Sequence, residues 1–81
     1  MYYYVYLIRS INYPKTIYIG YTTNVSGRLK THNSGGSIHT KKDKPWELVA
    51  CTLFKDMDTA KQFEKYLKSQ SGRAFIKKRF L

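Results

Sequence analysis

Apolar and aromatic positions fall into three short runs, separated by turn-prone or amphipathic stretches. Residues 2–9, Tyr-Tyr-Tyr-Val-Tyr-Leu-Ile-Arg, are aromatic or aliphatic nearly throughout, which predicts a strand buried on both faces. Asn12 and Pro14 bring turn chemistry to residues 10–16. Residues 17–21, Ile-Tyr-Ile-Gly-Tyr, predict the returning strand, antiparallel because the connection is too short for a crossover. Thr23 or Asn24 can then cap a helix over about residues 24–34. Val25, Leu29 and His32 form one face of that helix, and Gly35-Gly36 ends it.

A polar, basic loop over 35–45 follows, closed by Pro45. Trp46 to Phe54 reads as a third strand, with Leu48, Ala50 and Thr52 on one face and Val49, Cys51 and Leu53 on the other. Asp58 or Thr59 can cap a second helix, with Gln62 placed for a capping box with Thr59. Ala60, Phe63 and Leu67 make its core stripe, and Gly72 is expected to stop it. Residues 73–80 read as a short third helix, Ile76 and Phe80 inward, Arg73, Lys77 and Lys78 outward.

The pattern predicts one α+β domain over residues 1–81. Its architecture is a small three-stranded, mainly antiparallel sheet flanked by helices, in the order β-β-α-β-α-α. No internal repeat, linker or low-complexity tract interrupts it.

Charge narrows the function. Fifteen Lys and Arg oppose five acids, a net charge of +10. A polyanion is the natural partner for such a surface, because each neutralised phosphate also releases a counterion. An anionic membrane surface is the rival reading, raised by the basic C-terminal helix. Aromatics at 16% argue against a disordered basic tail. Cys51 is the sole cysteine, expected as a small core residue, so no internal disulfide forms; with His32 and His39 it gives too few ligands for a structural zinc. No secretory signal is visible and no apolar run nears the roughly 20 residues of a membrane span, which points to the cytoplasm.

The residues that could carry chemistry form an ordered set. Tyr4-Val5-Tyr6 lies on the first strand and Tyr18-Ile19-Gly20 on the second; Arg28 and His32 lie on the first helix and Glu64 on the second. Each short motif is weak alone, but the set in this order resembles the GIY-YIG nuclease superfamily over nearly the whole chain. It is most similar to the small stand-alone bacterial-type members, and is related to the catalytic domains of excision-repair and intron-homing endonucleases. Those small members share a segment like Arg28-Leu29-Lys30-Thr31-His32-Asn33-Ser34-Gly35.

The resemblance implies a DNA endonuclease using Mg²⁺ or Mn²⁺. In it the tyrosine matching Tyr18 is the general base, and the tyrosine matching Tyr6 positions water or phosphate. The arginine matching Arg28 steadies the scissile phosphate, and the glutamate matching Glu64 holds the metal. His32 is either a phosphate-side group or a satisfied core histidine. Free tyrosine, with a pKa of about 10, is a poor base at neutral pH, so nearby cations would have to favour its phenolate.

Three departures stand out. Tyr4 replaces the first glycine of the family motif, Tyr21 stands where some relatives carry a lysine, and the family asparagine after the second helix is absent from Ser69-Gln70-Ser71-Gly72-Arg73. They raise an alternative: a nucleic-acid-binding module that keeps the fold without the reaction. Lys41, Lys42, Lys44, Arg73, Lys77 and Lys78 are the expected nucleic-acid contacts. No base-reading motif appears, which favours recognition of DNA structure, such as a branch or flap, over sequence. Targeting by a partner protein and the oligomeric state are not legible.

Overall fold

The first apolar run occupies the middle of the sheet. A computed structural model describes all residues, 1–81. The strands are β1 (Tyr3–Ser10), β2 (Ile17–Thr22) and β3 (Trp46–Phe54), and the helices α1 (Val25–Ser34), α2 (Met57–Leu67) and α3 (Gln70–Arg79). One turn of 3-10 helix spans Lys41–Asp43. The strand order is β2-β1-β3 and both pairings are antiparallel. The expected element order and sheet are therefore present.

A central strand has no solvent face, which is why β1 carries apolar or aromatic residues at consecutive positions. Val5, Tyr6, Leu7 and Ile8 are each at most 2% exposed. Alternation sends them into two separate cores. Val5 and Leu7 join Ile19 under Ala60 and Leu67 of α2 and Ile76 of α3. Tyr6 and Ile8 point the other way and pack with Trp46, Tyr18 and the α1 residues Val25 and Leu29. The sheet is thus sandwiched between α1 on one face and the α2–α3 pair on the other.

β3 departs from the expected alternation. A bulge lets Leu7 pair with Ala50 while Ile8 pairs with Leu48, leaving Val49 as the extra residue. Leu48 consequently shares a face with Cys51 and Leu53, not with Ala50 and Thr52, while Val49 joins Ala50 against the α2–α3 core. Cys51, expected in the core, is exposed on the face of Leu48 and Leu53, outside both hydrophobic clusters.

The helix ends follow local hydrogen bonding. Asn24, not Thr23, caps α1: its Oδ1 accepts from the Gly27 N–H at 3.1 Å. Gly35 then closes α1 in the left-handed conformation at φ 83°. The cap of α2 is neither Asp58 nor Thr59 but Asp56, whose Oδ2 accepts from both the backbone N–H and the hydroxyl of Thr59. Those bonds hold the Asp56 carboxyl below its ordinary pKa, since they favour the charged form.

Gly72 does not stop α2. That helix ends at Leu67, and the Ser69 hydroxyl caps α3 by accepting from the Gly72 N–H at 3.1 Å. Gly72 is buried in the first turn of α3, where an added Cβ would run into the backbone of Tyr66 and Leu67. The glycine permits the tight elbow that seats Ile76 in the core. Gly72→Ala is expected to cost at least about 1–3 kcal/mol as an overpacking change against rigid backbone. A urea midpoint unchanged from wild type would contradict this.

Candidate active site

The β1–β2 register sets the site. Tyr6 pairs with Gly20, and Ile8 with Tyr18. Both tyrosines therefore stand on the α1 face, diagonally across the ladder, with ring centroids 6.4 Å apart. Tyr6 lies over Gly20 so closely that any Cβ there would overlap its ring and hydroxyl. Gly20 is thus the space the Tyr6 phenol occupies.

His32 projects from α1 against both rings, at 5.8 Å from Tyr6 and 5.1 Å from Tyr18 between centroids. It is fully buried. Its Nε2 lies 2.9 Å from the Tyr6 hydroxyl, and its Nδ1 lies 2.7 Å from Thr40 Oγ1. Thr40, also buried, accepts a hydrogen bond on its carbonyl from Trp46 Nε1. Asn33, next to His32 on α1, grips the backbone of Trp46 through both its amide oxygen and nitrogen. A chain of contacts thus runs from β3 through Thr40 and His32 to the Tyr6 hydroxyl.

Arg28 lies one turn before His32 and is exposed. The neighbouring Tyr6 phenol holds its guanidinium more firmly protonated, with Tyr18 adding a weaker effect. With the phenol protonated, one arrangement has the Tyr6 O–H donating to His32 Nε2 and the His32 Nδ1–H donating to Thr40 Oγ1. That assignment pairs both imidazole nitrogens.

The two phenols differ in burial. Burial pushes the Tyr6 hydroxyl above its ordinary pKa, with Arg28 opposing. Tyr6 therefore keeps its proton at neutral pH. Tyr18 is half-buried and is the phenol that solvent reaches. His32 is pushed below the usual histidine value, first by burial and then by Arg28. It is neutral at pH 7, and with both nitrogens bonded inside the protein it sits behind Tyr6 and does not face the groove.

Glu64 arrives from the opposite helix layer. It is half-buried on α2, and its Oε2 pairs with Lys68 Nζ at 3.1 Å. Oε1 makes no protein hydrogen bond. The carboxylate touches neither tyrosine, yet its charge acts on the hydroxyls of Tyr6 and Tyr21. The structure therefore gathers Tyr6, Tyr18 and His32 in direct contact, with Arg28 and Glu64 within electrostatic range. Lys61, one turn before Glu64, holds its ammonium 5.5 Å from the centroid of the Tyr21 ring, so a cation stands over the position where the sequence lacks one.

The basic residues divide between the two faces. Lys41 and Lys44 lie beside Gly35 at the C-terminal end of α1, and Lys42 is exposed with them. Arg73, Lys77 and Lys78 are exposed on α3, across the sheet. Thr40 and Asn33 escape sequence reasoning altogether. Thr40 follows His32 by eight residues in a loop with no periodicity to flag it.

The buried chain yields two predictions. Thr40→Val leaves His32 Nδ1 unpaired and is expected to cost about 1–3 kcal/mol, the penalty of an unsatisfied buried polar group. The check is a urea midpoint; no change would contradict it. His32 also makes stability pH-dependent. Its folded pKa lies below its unfolded value of about 6.5, so the unfolded chain binds the extra proton first. Its contribution is intact above that value and is lost as pH falls toward the folded pKa. Denaturation midpoints at pH 7.5, 6.5 and 5.5 should fall more steeply in wild type than in His32→Gln.

The GIY-YIG catalytic domain model matches residues 2–79, and the chain belongs to that family. It is 36% identical over 75 residues to the UPF0213 protein SH2523 of Staphylococcus haemolyticus, covering 91% of this chain and 89% of that protein. It is 42% identical over 73 residues to the structure-specific endonuclease subunit SLX1 of Debaryomyces hansenii, covering 82% of this chain. The match spans only 21% of that SLX1 protein. Among solved structures, the solution NMR structure of the UPF0213 protein BH0048 from Bacillus halodurans aligns at a TM-score of 0.59 and 31% identity, covering 99% of this chain and 87% of that one.

Proposed function

We propose that this chain is a divalent-metal-dependent DNA endonuclease whose site is formed by Tyr6, Tyr18, Arg28 and Glu64. The observation that carries this reading is the shared sheet face over Gly20, where Tyr18 is reachable, Tyr6 is held and Arg28 is exposed beside both. Phosphodiester hydrolysis needs a base for the attacking water and positive charge on the phosphate. Tyr18, having first lost its own proton to solvent as the phenolate that Arg28 and a bound cation would favour, takes the water's proton. Arg28 neutralises charge developing on the phosphate oxygens. Tyr6, its hydroxyl anchored by His32, orients the water or phosphate. His32 and Thr40 are positioning residues.

Glu64 fits a metal as a single donor. Its free Oε1 is a hard oxygen ligand, and Mg²⁺ takes one or two carboxylates while keeping several waters. No group of three His, Cys, Asp or Glu side chains stands together, so no denser ligand cage competes. A bound Mg²⁺ or Mn²⁺ would supply Lewis-acid charge and a more acidic water. Lys41, Lys42 and Lys44, on the α1 side, would hold the flanking phosphates. SLX1 relatives are named as subunits of structure-specific endonucleases, which supports DNA with a branch or flap as substrate and leaves room for a partner that targets the domain. No helix is long and apolar enough to cross a membrane.

A second reading has its own observation. Glu64 is already paired with Lys68, and no second acid is grouped with it, as befits a domain that binds without cutting. Incubation with branched, flapped, single-stranded and duplex DNA plus Mg²⁺ or Mn²⁺ separates the two. Hydrolysis predicts cuts that vanish in Glu64→Gln. Salt-dependent binding without turnover, equal in wild type and Glu64→Gln, would leave only the binding module.

A further inference from the structure

On the sheet face away from Tyr18, a hollow of about 630 Å³ opens between the β1–β2 turn and α3. Ile17, Ile76 and Leu81 floor it, and Lys15, Arg73 and Lys77 rim it. No acidic side chain lines it. None of the three cations forms an ion pair, since the fold's salt bridges are Arg9–Glu47 and Lys68–Glu64. Arg73 and Lys77 stand one helical turn apart on the same side of α3. The hollow falls within the usual size range of ligand pockets.

Its lining suits something anionic with an apolar body. It has no buried polar group to fix one small molecule, since its lining polar residues are all exposed. Its position narrows the choice. Ile17 and Tyr18 are neighbours on β2, an edge strand, and successive side chains point to opposite faces. The hollow and the active site therefore lie back to back across one strand. A nucleic-acid strand passing round that edge would reach both. A duplex keeps its bases paired and offers the hollow only phosphates. An unpaired strand offers bases to the floor and phosphates to the rim.

We propose that this hollow binds an unpaired nucleic-acid strand, with bases against Ile17, Ile76 and Leu81 and phosphates on Lys15, Arg73 and Lys77. The proposal rests on the nuclease reading only in taking nucleic acid as the ligand. It gives the α3 cations a task distinct from that of the lysines beside α1.

The test is methyl NMR of the full chain titrated with octathymidylate in the absence of divalent ions, so that nothing is cut. The expected result is shifts at the methyls of Ile17, Ile76 and Leu81 that a blunt duplex does not reproduce. Arg73→Glu with Lys77→Glu should raise the Kd for the single strand by about tenfold or more, through lost phosphate neutralisation. Leu81→Ala, which keeps every charge and alters an exposed side chain, should raise it about threefold through lost apolar contact. Shifts confined to Val25 and Leu29, or a charge-reversed variant that loses duplex and single strand equally, would overturn the proposal. Equal affinity for thymidine monophosphate would overturn the strand as ligand. Groove shifts without any cleavage activity would support the site and remove the hydrolysis; cleavage without groove shifts would do the reverse.

Discussion

Tyr18→Phe is expected to bind DNA as wild type does and to cut it about a hundred- to ten-thousand-fold more slowly, the usual contribution of a positioned general base. The substitution removes one exposed-side hydroxyl and leaves the ring packed against Tyr6 and His32. No buried partner loses a hydrogen bond, so stability should barely move. Tyr6→Phe makes the contrast. It strips the buried His32 Nε2 of its partner. Slower cutting should therefore come with a loss of about 1–3 kcal/mol of stability. Single-turnover cleavage and urea unfolding of both variants decide it. A Tyr18→Phe protein that cuts at wild-type rate would remove Tyr18 from the reaction.

Gly20→Val is expected to disable the protein without touching any group that carries chemistry. Its Cβ would stand inside the Tyr6 phenol, and Tyr6 cannot give way easily because it is 1% exposed and held by His32. Either the ring leaves its place over β2 or the two strands separate. Overpacking of this kind costs about 1–3 kcal/mol, a large share of the roughly 0.1 kcal/mol per residue that a small domain has. Where the chain still folds, the displaced hydroxyl should reduce cleavage by about a hundredfold or more, as for other lost preorganised groups. Melting by circular dichroism and a cleavage assay test the two effects separately. A folded Gly20→Val protein of normal activity would show that the Tyr6 hydroxyl has no part in the site.

Much of this geometry was legible before any coordinates. A run that stays apolar at consecutive positions has to be central, and β1 is. A short connection makes β1 and β2 a hairpin, while the register that puts Tyr6 and Tyr18 on one face is settled only by the structure, since a slip of one residue would part them. The i, i+4, i+7 spacing of Val25, Leu29 and His32 gave α1 its buried stripe, and the structure lays that stripe on the Tyr6–Tyr18 face. What stayed hidden depends on partners that sequence spacing does not name. The bulge at Val49 is a property of the β1–β3 pairing, so the faces of Leu48 and Cys51 could not be read from β3 alone. Asp56, Asp58 and Thr59 are all competent caps within four residues, and the end of β3 at Phe54 leaves Asp56 in the extended conformation a cap requires. Gly72 has the composition of a stop, but its job is steric. The helical face of Glu64 was readable; that α2 lies on the sheet face opposite Tyr18 was not.

That last point makes Mn²⁺ relaxation of the isotope-labelled chain the most direct measurement. If Glu64 serves the same site as the phenols and the guanidinium, broadening should centre on Glu64, extend to Tyr6, Tyr18 and Arg28, and disappear in Glu64→Gln. Broadening centred elsewhere, with those four residues sharp, would contradict the shared site.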